Sequence, residues 1–178
     1  QSRYPNIIKL ISNKKNIGMI ENFINTIKNC TGEYIAICDG DDFWVDSAKL
    51  QKQINFLNTN TNYTIVVSNS LLLDSNSKSS YASNIASGDF TIEQMIEKNL
   101  IGEAASTIEF TKKCISPYFA HNIINAPFGD WALSLLCLSK GKGYIMSDIT
   151  SCYRKHTGGN WSSTNTIHKI VTTIHMYD

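Results

Sequence analysis

A short apolar segment that ends abruptly in carboxylates constrains this chain more than any other feature. Residues 34–38 are mostly apolar and follow a turn-like Thr-Gly-Glu sequence, which is typical of a buried strand. Three acids follow at once, Asp39, Asp41 and Asp42. Acids at the end of a buried strand lower stability unless a cation or hydrogen bonds compensate their charge.

Two explanations of this acidic cluster remain open from the residues alone. Asp39 and Asp41 are two positions apart, so strand geometry would point both side chains to the same side. That arrangement suits a hard divalent cation, which prefers oxygen ligands and would bridge to a phosphate-bearing substrate. Alternatively, the cluster is an acidic turn that closes the strand, since Asp and Gly are common turn residues.

Composition favours one globular domain over residues 1–178. The formal net charge is +1, so bulk electrostatic binding to nucleic acid is not expected. Five cysteines without a CxxC spacing predict reduced, buried thiols in a cytoplasmic protein. No apolar run approaches the roughly 18 residues of a membrane helix, and no signal peptide is recognisable. The start at Gln1, with little lead-in to the first apolar run, suggests an excised fragment.

Strand-like and helical patterns alternate along the chain. Strands are predicted at residues 7–11, 34–38, 63–73, 104–111, 144–149 and 150–154. Helices are predicted around residues 18–27, 48–57, 91–98, 130–138 and 167–174. The second helix is expected to begin at Asp46 or Ser47 and to turn Leu50, Ile54 and Leu57 inward, whereas 74–87 and 160–166 are predicted loops. Such alternation predicts an α/β domain with a mainly parallel sheet and an active site at the carboxyl ends of its strands.

A second group of chemically active residues lies late in the sequence. Asp130 opens a predicted helix, where the helix dipole stabilises a carboxylate; it is either a functional acid or simply an N-terminal helix acid. Arg154 and the following Lys could bind phosphate, and His156 could be a ligand for the same cation. A Gly-Gly sequence that carries Trp161 is either a mobile flap or a flexible turn.

Taken together, the two groups resemble the inverting family 2 glycosyltransferases of the GT-A fold. The resemblance is carried by four segments: NIGMIENFINTIKNCTGEYIAICDGDDFW at 16–44, KLQKQINFL at 49–57, GDWALSLLCLSKGKGYIM at 129–146 and YRKHTGGNWS at 153–162. It implies an α/β fold of Rossmann-like type with flanking helices. The family's first strands, which hold the nucleotide base, have no counterpart here, so the chain resembles the second part of a catalytic domain.

The resemblance also implies roles for individual residues. Asp41 corresponds to the direct metal ligand of the D-x-D element, and Asp39 to the residue that contacts the donor ribose or the metal shell. Asp130 corresponds to the general base, although Gly129 replaces the Glu that usually precedes it. His156 corresponds to the family's late His and is expected to bind the metal with Asp41.

The function implied is metal-dependent, inverting transfer of a sugar from a nucleotide-diphosphate donor to a hydroxyl acceptor. Mn²⁺ or Mg²⁺ is the expected cofactor, and Arg154 and Trp161 are expected to bind the donor with the two acids. Trp44 and Trp131 are candidates for stacking on an acceptor sugar, with core packing as the alternative. A glycan or a lipid-linked precursor is the expected acceptor, in bacterial surface polysaccharide synthesis, in the cytoplasm or at the inner face of the membrane.

Two other functions share features with this sequence. A D-x-D strand end also occurs in haloacid-dehalogenase-like phosphatases, but Asp42-Phe43-Trp44 follows here where they need Thr or Val. A non-catalytic sugar-nucleotide or glycan-binding module remains an alternative, although it has no need of a base at Asp130. An uncovered sheet edge, where the first strands are missing, predicts self-association.

Overall fold

Helices and strands alternate in the computed structural model, which describes residues 3–74, 79–101, 104–105, 108–159, 161 and 163–177. The helices are α1 (Met19–Lys28), α2 (Lys49–Thr59), α3 (Ile92–Glu97), α4 (Phe119–Ile123), α5 (Gly129–Leu138) and α6 (Thr166–Ile174). The strands are β1 (Tyr34–Ala36), β2 (Phe43–Trp44), β3 (Tyr63–Asp74), β4 (Ser79–Ala82), β5 (Gly88–Phe90), β6 (Glu109–Thr111) and β7 (Lys142–Lys155).

The strands form one sheet in the order β1-β6-β3-β7-β2, with β4 paired to β3 and β5 paired to β7. Among the pairings of the described strands, β3–β7 alone is parallel. The predicted α/β class with flanking helices is confirmed, whereas the sheet is mixed rather than mainly parallel. A parallel pair needs a long crossover connection, as between β3 and β7, whereas β4 is the next strand after β3 in the chain and pairs with it antiparallel.

Strand β7 organises the sheet. It was predicted as two short strands, but it is one strand of 14 residues with irregular register near the middle of its pairing with β3. Its first half pairs with β5 and its second half with β2, while β3 accompanies it from Lys142 to Lys155. It therefore delivers Arg154 to the sheet end next to β2.

Several predicted elements differ in the structure. Residues 7–11 are not a strand, because no described strand lies beside them to accept their hydrogen bonds, and Ile7 and Leu10 are exposed. The predicted loop 74–87 contains β4, while residues 75–78 lie outside the described residues. In α2 the buried residues are Lys49, Gln53 and Leu57, so the inner face is rotated from the one predicted, and Leu50 is exposed.

The apolar core lies between the sheet and helices α1, α3 and α5. Its members include Ile24, Ile65, Phe110, Leu133 and Ile145. Helix α5 is buried on several sides, as its sequence predicted, and this fixes its first turn against α1. No helix within the described ranges is long and apolar enough to cross a membrane.

Candidate active site

The carboxylate turn follows β1 directly. The backbone N–H of Asp42 donates to the Asp39 carbonyl at 3.1 Å, which reverses the chain before β2. The Asp42 side chain is buried and accepts a hydrogen bond from the Arg154 backbone N–H at 3.1 Å. The Arg154 guanidinium Nε donates to the Asp41 carbonyl. The end of β7 thus holds the turn in place, and Asp42 serves structure rather than an ion.

His156 is brought to Asp41 from 115 residues away in sequence. Its Nε2 lies 3.2 Å from the Asp41 carboxylate oxygen Oδ2. The Gly158 backbone N–H donates to Nδ1 at 3.2 Å, so Nδ1 carries a lone pair and Nε2 carries the proton that Asp41 accepts. The predicted meeting of Asp41 and His156 is therefore present.

The pair fits the donor set of an open cation site. An Asp41 oxygen and an imidazole nitrogen suit Mn²⁺, and a smaller Mg²⁺ also accepts the carboxylate. No group of three or more His, Cys, Asp or Glu side chains positioned for a metal occurs among the residues the structure describes. An ion held here would thus keep several positions for phosphate oxygens and water. To bind it through Nε2, the His156 imidazole would move its proton from Nε2 to Nδ1 and give up the hydrogen bond from Gly158.

A cavity of about 920 Å³ joins the carboxylate turn to the start of α5. Asp39, Gly40 and Asp41 line it on one side, and Gly129 and Asp130 line it on another. Arg154 and His156 do not belong to this lining and contact Asp41 instead. The two acidic elements that the sequence places about 90 residues apart share one solvent-accessible space.

Burial raises the pKa of Asp130 above the ordinary value of an aspartate, although hydrogen bonds from the backbone at the helix start partly oppose this. A carboxylate with a raised pKa holds a proton more strongly, which is the property a general base requires. Burial also raises the pKa of Asp39 to about 6, and the charges of Asp130, Asp42 and Asp41 add to the rise. The site therefore concentrates negative charge that a cation would relieve.

Two tryptophans of the predicted site border the cavity in different ways. Trp131 is only 4% exposed, and its indole N–H donates to the Met95 carbonyl at 3.0 Å. Trp161 packs edge-on against Phe128, with 5.0 Å between ring centroids, and Lys169 Nζ lies 5.2 Å from its ring. Both tryptophans line the cavity, but Trp131 is mostly enclosed by packing.

Trp44 is not brought to the cavity. It lies in β2, is 37% exposed and is absent from the cavity lining. Its ring instead lies 5.0 Å from the Nζ of Lys49, a cation–π contact. Its predicted role in acceptor binding stays a prediction, but the structure connects it to the interior of the sheet rather than to Asp130.

A buried polar cluster in the sheet interior was not predicted from sequence. Lys49 and Glu109 are each 1% exposed, and Lys49 Nζ donates to Gln53 Oε1 at 2.6 Å. Neither Glu109 carboxylate oxygen has a hydrogen-bond partner among the described atoms. Burial raises the pKa of Glu109 to about 7 and lowers the pKa of Lys49 to about 8, and each charge partly opposes the shift of the other. An acid inside an apolar Ile-Glu-Phe run was the available signal.

Sequence comparison identifies the family of this chain. Residues 1–112 match the family described as Glycosyl transferase family 2. The chain belongs to this family. The match includes Asp39 and Asp41 but ends before Asp130, which the structure places at the same cavity.

Curated relatives of this glycosyl transferase family 2 chain are distant. It is 26% identical over 167 residues to the uncharacterised protein Rv1520 of Mycobacterium tuberculosis, covering 93% of this chain and 47% of the relative. The same figures hold for Mb1547 of Mycobacterium bovis. The putative glycosyltransferase EpsE of Bacillus subtilis is 36% identical over 73 residues, 41% of this chain and 26% of EpsE. The chain thus spans about half the length of the first two relatives.

Proposed function

We propose that this domain transfers a sugar from a nucleotide-diphosphate donor to an acceptor hydroxyl, with inversion at the anomeric carbon. The observation that carries the proposal is the shared cavity, in which a desolvated carboxylate, Asp130, opens onto the same space as Asp39 and Asp41. Family membership supports sugar transfer in general, and the name of EpsE states the same activity for that relative.

The residues divide the chemistry between them. Asp130 accepts the proton of the acceptor hydroxyl. The hydroxyl oxygen attacks the anomeric carbon from the face opposite the diphosphate. The bond from that carbon to the diphosphate oxygen breaks, and the negative charge passes to the diphosphate. A divalent cation held by Asp41 and His156 would supply Lewis-acid stabilisation of that charge. Arg154 fixes the turn that presents Asp41. Asp39 lines the cavity and is assigned to contact with the donor.

Donor binding also involves the cavity wall near α6. Trp161 offers an aromatic surface beside Phe128, and we assign it to the donor or its departing diphosphate. Acceptor stacking is the proposed role of Trp44 and Trp131, although burial of Trp131 favours packing. The proposal also includes a glycan or lipid-linked acceptor in a surface-polysaccharide pathway. It further includes a position at the inner membrane face and self-association at the β1 edge.

The decisive experiment measures product configuration and rate together. The chain is incubated with Mn²⁺, a panel of nucleotide sugars and simple glycoside acceptors, and the anomeric configuration of the product is read by NMR. Inverted product that disappears in EDTA and returns with Mn²⁺ supports the proposal. Retained configuration, or transfer that is unchanged in EDTA, contradicts it. Binding of donor with no turnover by any acceptor would favour a non-catalytic binding module instead.

A further inference from the structure

Two buried cysteines lie beside one another where the end of β6 meets the end of α5. Cys114 is the last residue of a 3₁₀ turn, Lys112–Cys114, that directly follows β6, and Cys137 is the next-to-last residue of α5. Both are free cysteines, 3% and 0% exposed, and their side chains are hydrogen-bonded to each other. Neither lines the cavity, so the proposed sugar transfer does not use this pair.

Thr64, at the start of the central strand β3, connects to both cysteines. The Cys114 thiol donates to the Thr64 carbonyl at 3.9 Å, and the Thr64 hydroxyl donates to the Cys137 carbonyl at 2.7 Å. The Thr111 hydroxyl lies 3.5 Å from the Cys114 sulfur on the other side of the short turn. Contacts to one residue of the sheet therefore hold the two cysteines as neighbours.

The two thiols differ in how readily they ionise. The hydrogen bond with Cys137 lowers the pKa of the Cys114 thiol below the ordinary value of a cysteine, although burial opposes this. Burial raises the pKa of Cys137, so this residue keeps its proton. Because the thiolate is the nucleophilic form of cysteine, Cys114 is the attacking sulfur and Cys137 is the thiol that resolves the product.

The pair lies at the ends of its two structural elements. Cys114 closes a single turn, and the exposed residues Ser139 and Lys140 follow α5 at once. The positive charge of Lys140 reaches Cys114 and helps to lower its pKa. Element ends open locally more readily than a whole domain unfolds. A small oxidant can therefore reach the sulfur atoms while the domain stays folded.

We propose that Cys114 and Cys137 form a redox modification site, which hydroperoxides oxidise to a reversible disulfide within this domain. The disulfide ties the end of α5, the helix whose first turn carries Asp130, to the turn after β6. This inference goes beyond the proposed function and does not depend on it, because disulfide formation needs no sugar transfer.

The oxidation proceeds in two balanced steps. The Cys114 thiolate attacks a peroxide oxygen, so an S–O bond forms, the O–O bond breaks, and the departing oxygen takes a proton and leaves as water or an alcohol. The Cys137 sulfur then attacks the sulfur of this sulfenic acid. An S–S bond forms, the S–O bond breaks, and the hydroxyl leaves as water with the Cys137 proton. The two thiols lose two electrons, which reduce one peroxide bond.

Alkylation and mass spectrometry test the site on the complete chain. Trypsin releases both cysteines in one peptide, residues 114–140, because no Lys or Arg lies between them. After hydrogen peroxide and then iodoacetamide in denaturant, this peptide should be unalkylated and lighter by two hydrogen atoms, and dithiothreitol should reverse the change. The pair should be lost to oxidation at least about fivefold faster than Cys152, which is equally buried but has a raised pKa and hydrogen-bonds to the Tyr153 carbonyl.

Variants assign the two steps to their residues. Cys137→Ser should stop at the sulfenic acid of Cys114, which dimedone traps, whereas Cys114→Ser should leave Cys137 reduced. Cys30→Ser/Cys38→Ser, which removes the two less buried thiols, is the matched control and should form the link like the wild type. Circular dichroism checks the fold of each variant, and the wild-type peptide decides the question even if one fails to fold. The proposal is overturned if both thiols stay alkylatable while Cys152 reacts, or if the disulfides join two chains instead.

Discussion

Burial raises the pKa of carboxylates in two regions of this molecule, and the two regions differ in what can compensate the charge. Asp39 and Asp130 border an open cavity and repel one another, whereas Glu109 is enclosed in the sheet interior beside Lys49. A cation can relieve the cavity acids because solvent reaches them, but Glu109 can be relieved only by its own proton or by Lys49. Acids that a cation can reach can form a binding site, whereas an enclosed acid such as Glu109 lowers stability.

The largest expected effect is on catalysis at the cavity. Asp130→Asn keeps the shape of the side chain but removes the proton acceptor, so we expect roughly a 10²–10⁴-fold lower turnover rate. Donor affinity should stay within a few-fold, and thermal stability should not fall, because a desolvated charge is removed. Steady-state kinetics and calorimetric titration of the donor measure these quantities.

Glu97 provides a control for that variant, because it is an acid that lines the same cavity. Glu97→Gln should retain most of the turnover. The assignment of Asp130 is wrong if the Glu97 variant loses turnover and the Asp130 variant does not.

The next effect concerns the cation. Asp41→Ala should weaken Mn²⁺ binding by more than about 100-fold, since even indirect partners of a metal cost 10–100-fold. Because the pKa of Asp39 is raised to about 6, protons compete with the ion, and wild-type Mn²⁺ affinity should fall as pH decreases from 7.5 to 5. Electron paramagnetic resonance of free Mn²⁺ measures both. Unchanged affinity in the variant would remove Asp41 from the ligand set.

The enclosed acid should show itself in stability instead of activity. Unfolded Glu109 loses its proton near pH 4.5 and folded Glu109 near pH 7, so between these values the folded state binds more protons and its free energy of unfolding falls as pH rises. Glu109→Gln removes this loss. Relative to wild type, the variant should gain up to about 3 kcal/mol between pH 4 and pH 8.

Urea unfolding at several pH values measures that difference. Glu33→Gln, which removes an exposed carboxylate, is the control and should show no such trend. A flat difference between wild type and the Glu109 variant would mean that Lys49 compensates the buried charge completely.

The smallest effect concerns a residue that lines the cavity and is also buried in the apolar core. Trp131→Phe removes the indole donor to the Met95 carbonyl, so we expect a loss of about 1–2 kcal/mol of stability. If Trp131 only packs, the acceptor KM should not change. A large rise of KM with unchanged stability would restore its predicted role in acceptor stacking.

Sequence patterns predicted the cavity side better than the sheet interior. The strand that ends at Asp39, the helix that opens at Asp130 and the late His156 each carry a local signature, and the structure brings the three elements to one end of the sheet. Lys49 and Glu109 were missed because charged residues are ordinarily assigned to the surface. Their burial depends on β6 lying between β1 and β3, which no local pattern reveals.

Pairing between strands that are distant in sequence also explains the remaining wrong predictions of secondary structure. The mixed sheet could not be deduced from alternation, since the direction of β6 depends on its neighbours rather than on its own residues. The apolar residues 7–11 carry a strand pattern without a described strand beside them. Local periodicity predicts what a segment can form, and the partners decide what it forms.

The pairing of β3 with β7 has a consequence for the order of folding. The contacts of Asp41 with Arg154 and His156 span 113 and 115 residues, so they close only after most of the chain has been ordered. Contacts of such high sequence separation form slowly and late. A partly folded chain can build α1 and α2 from local sequence yet has no assembled cation site. Affinity for the ion is therefore a report on complete folding, and a refolding time course followed by Mn²⁺ binding would lag behind the recovery of helix.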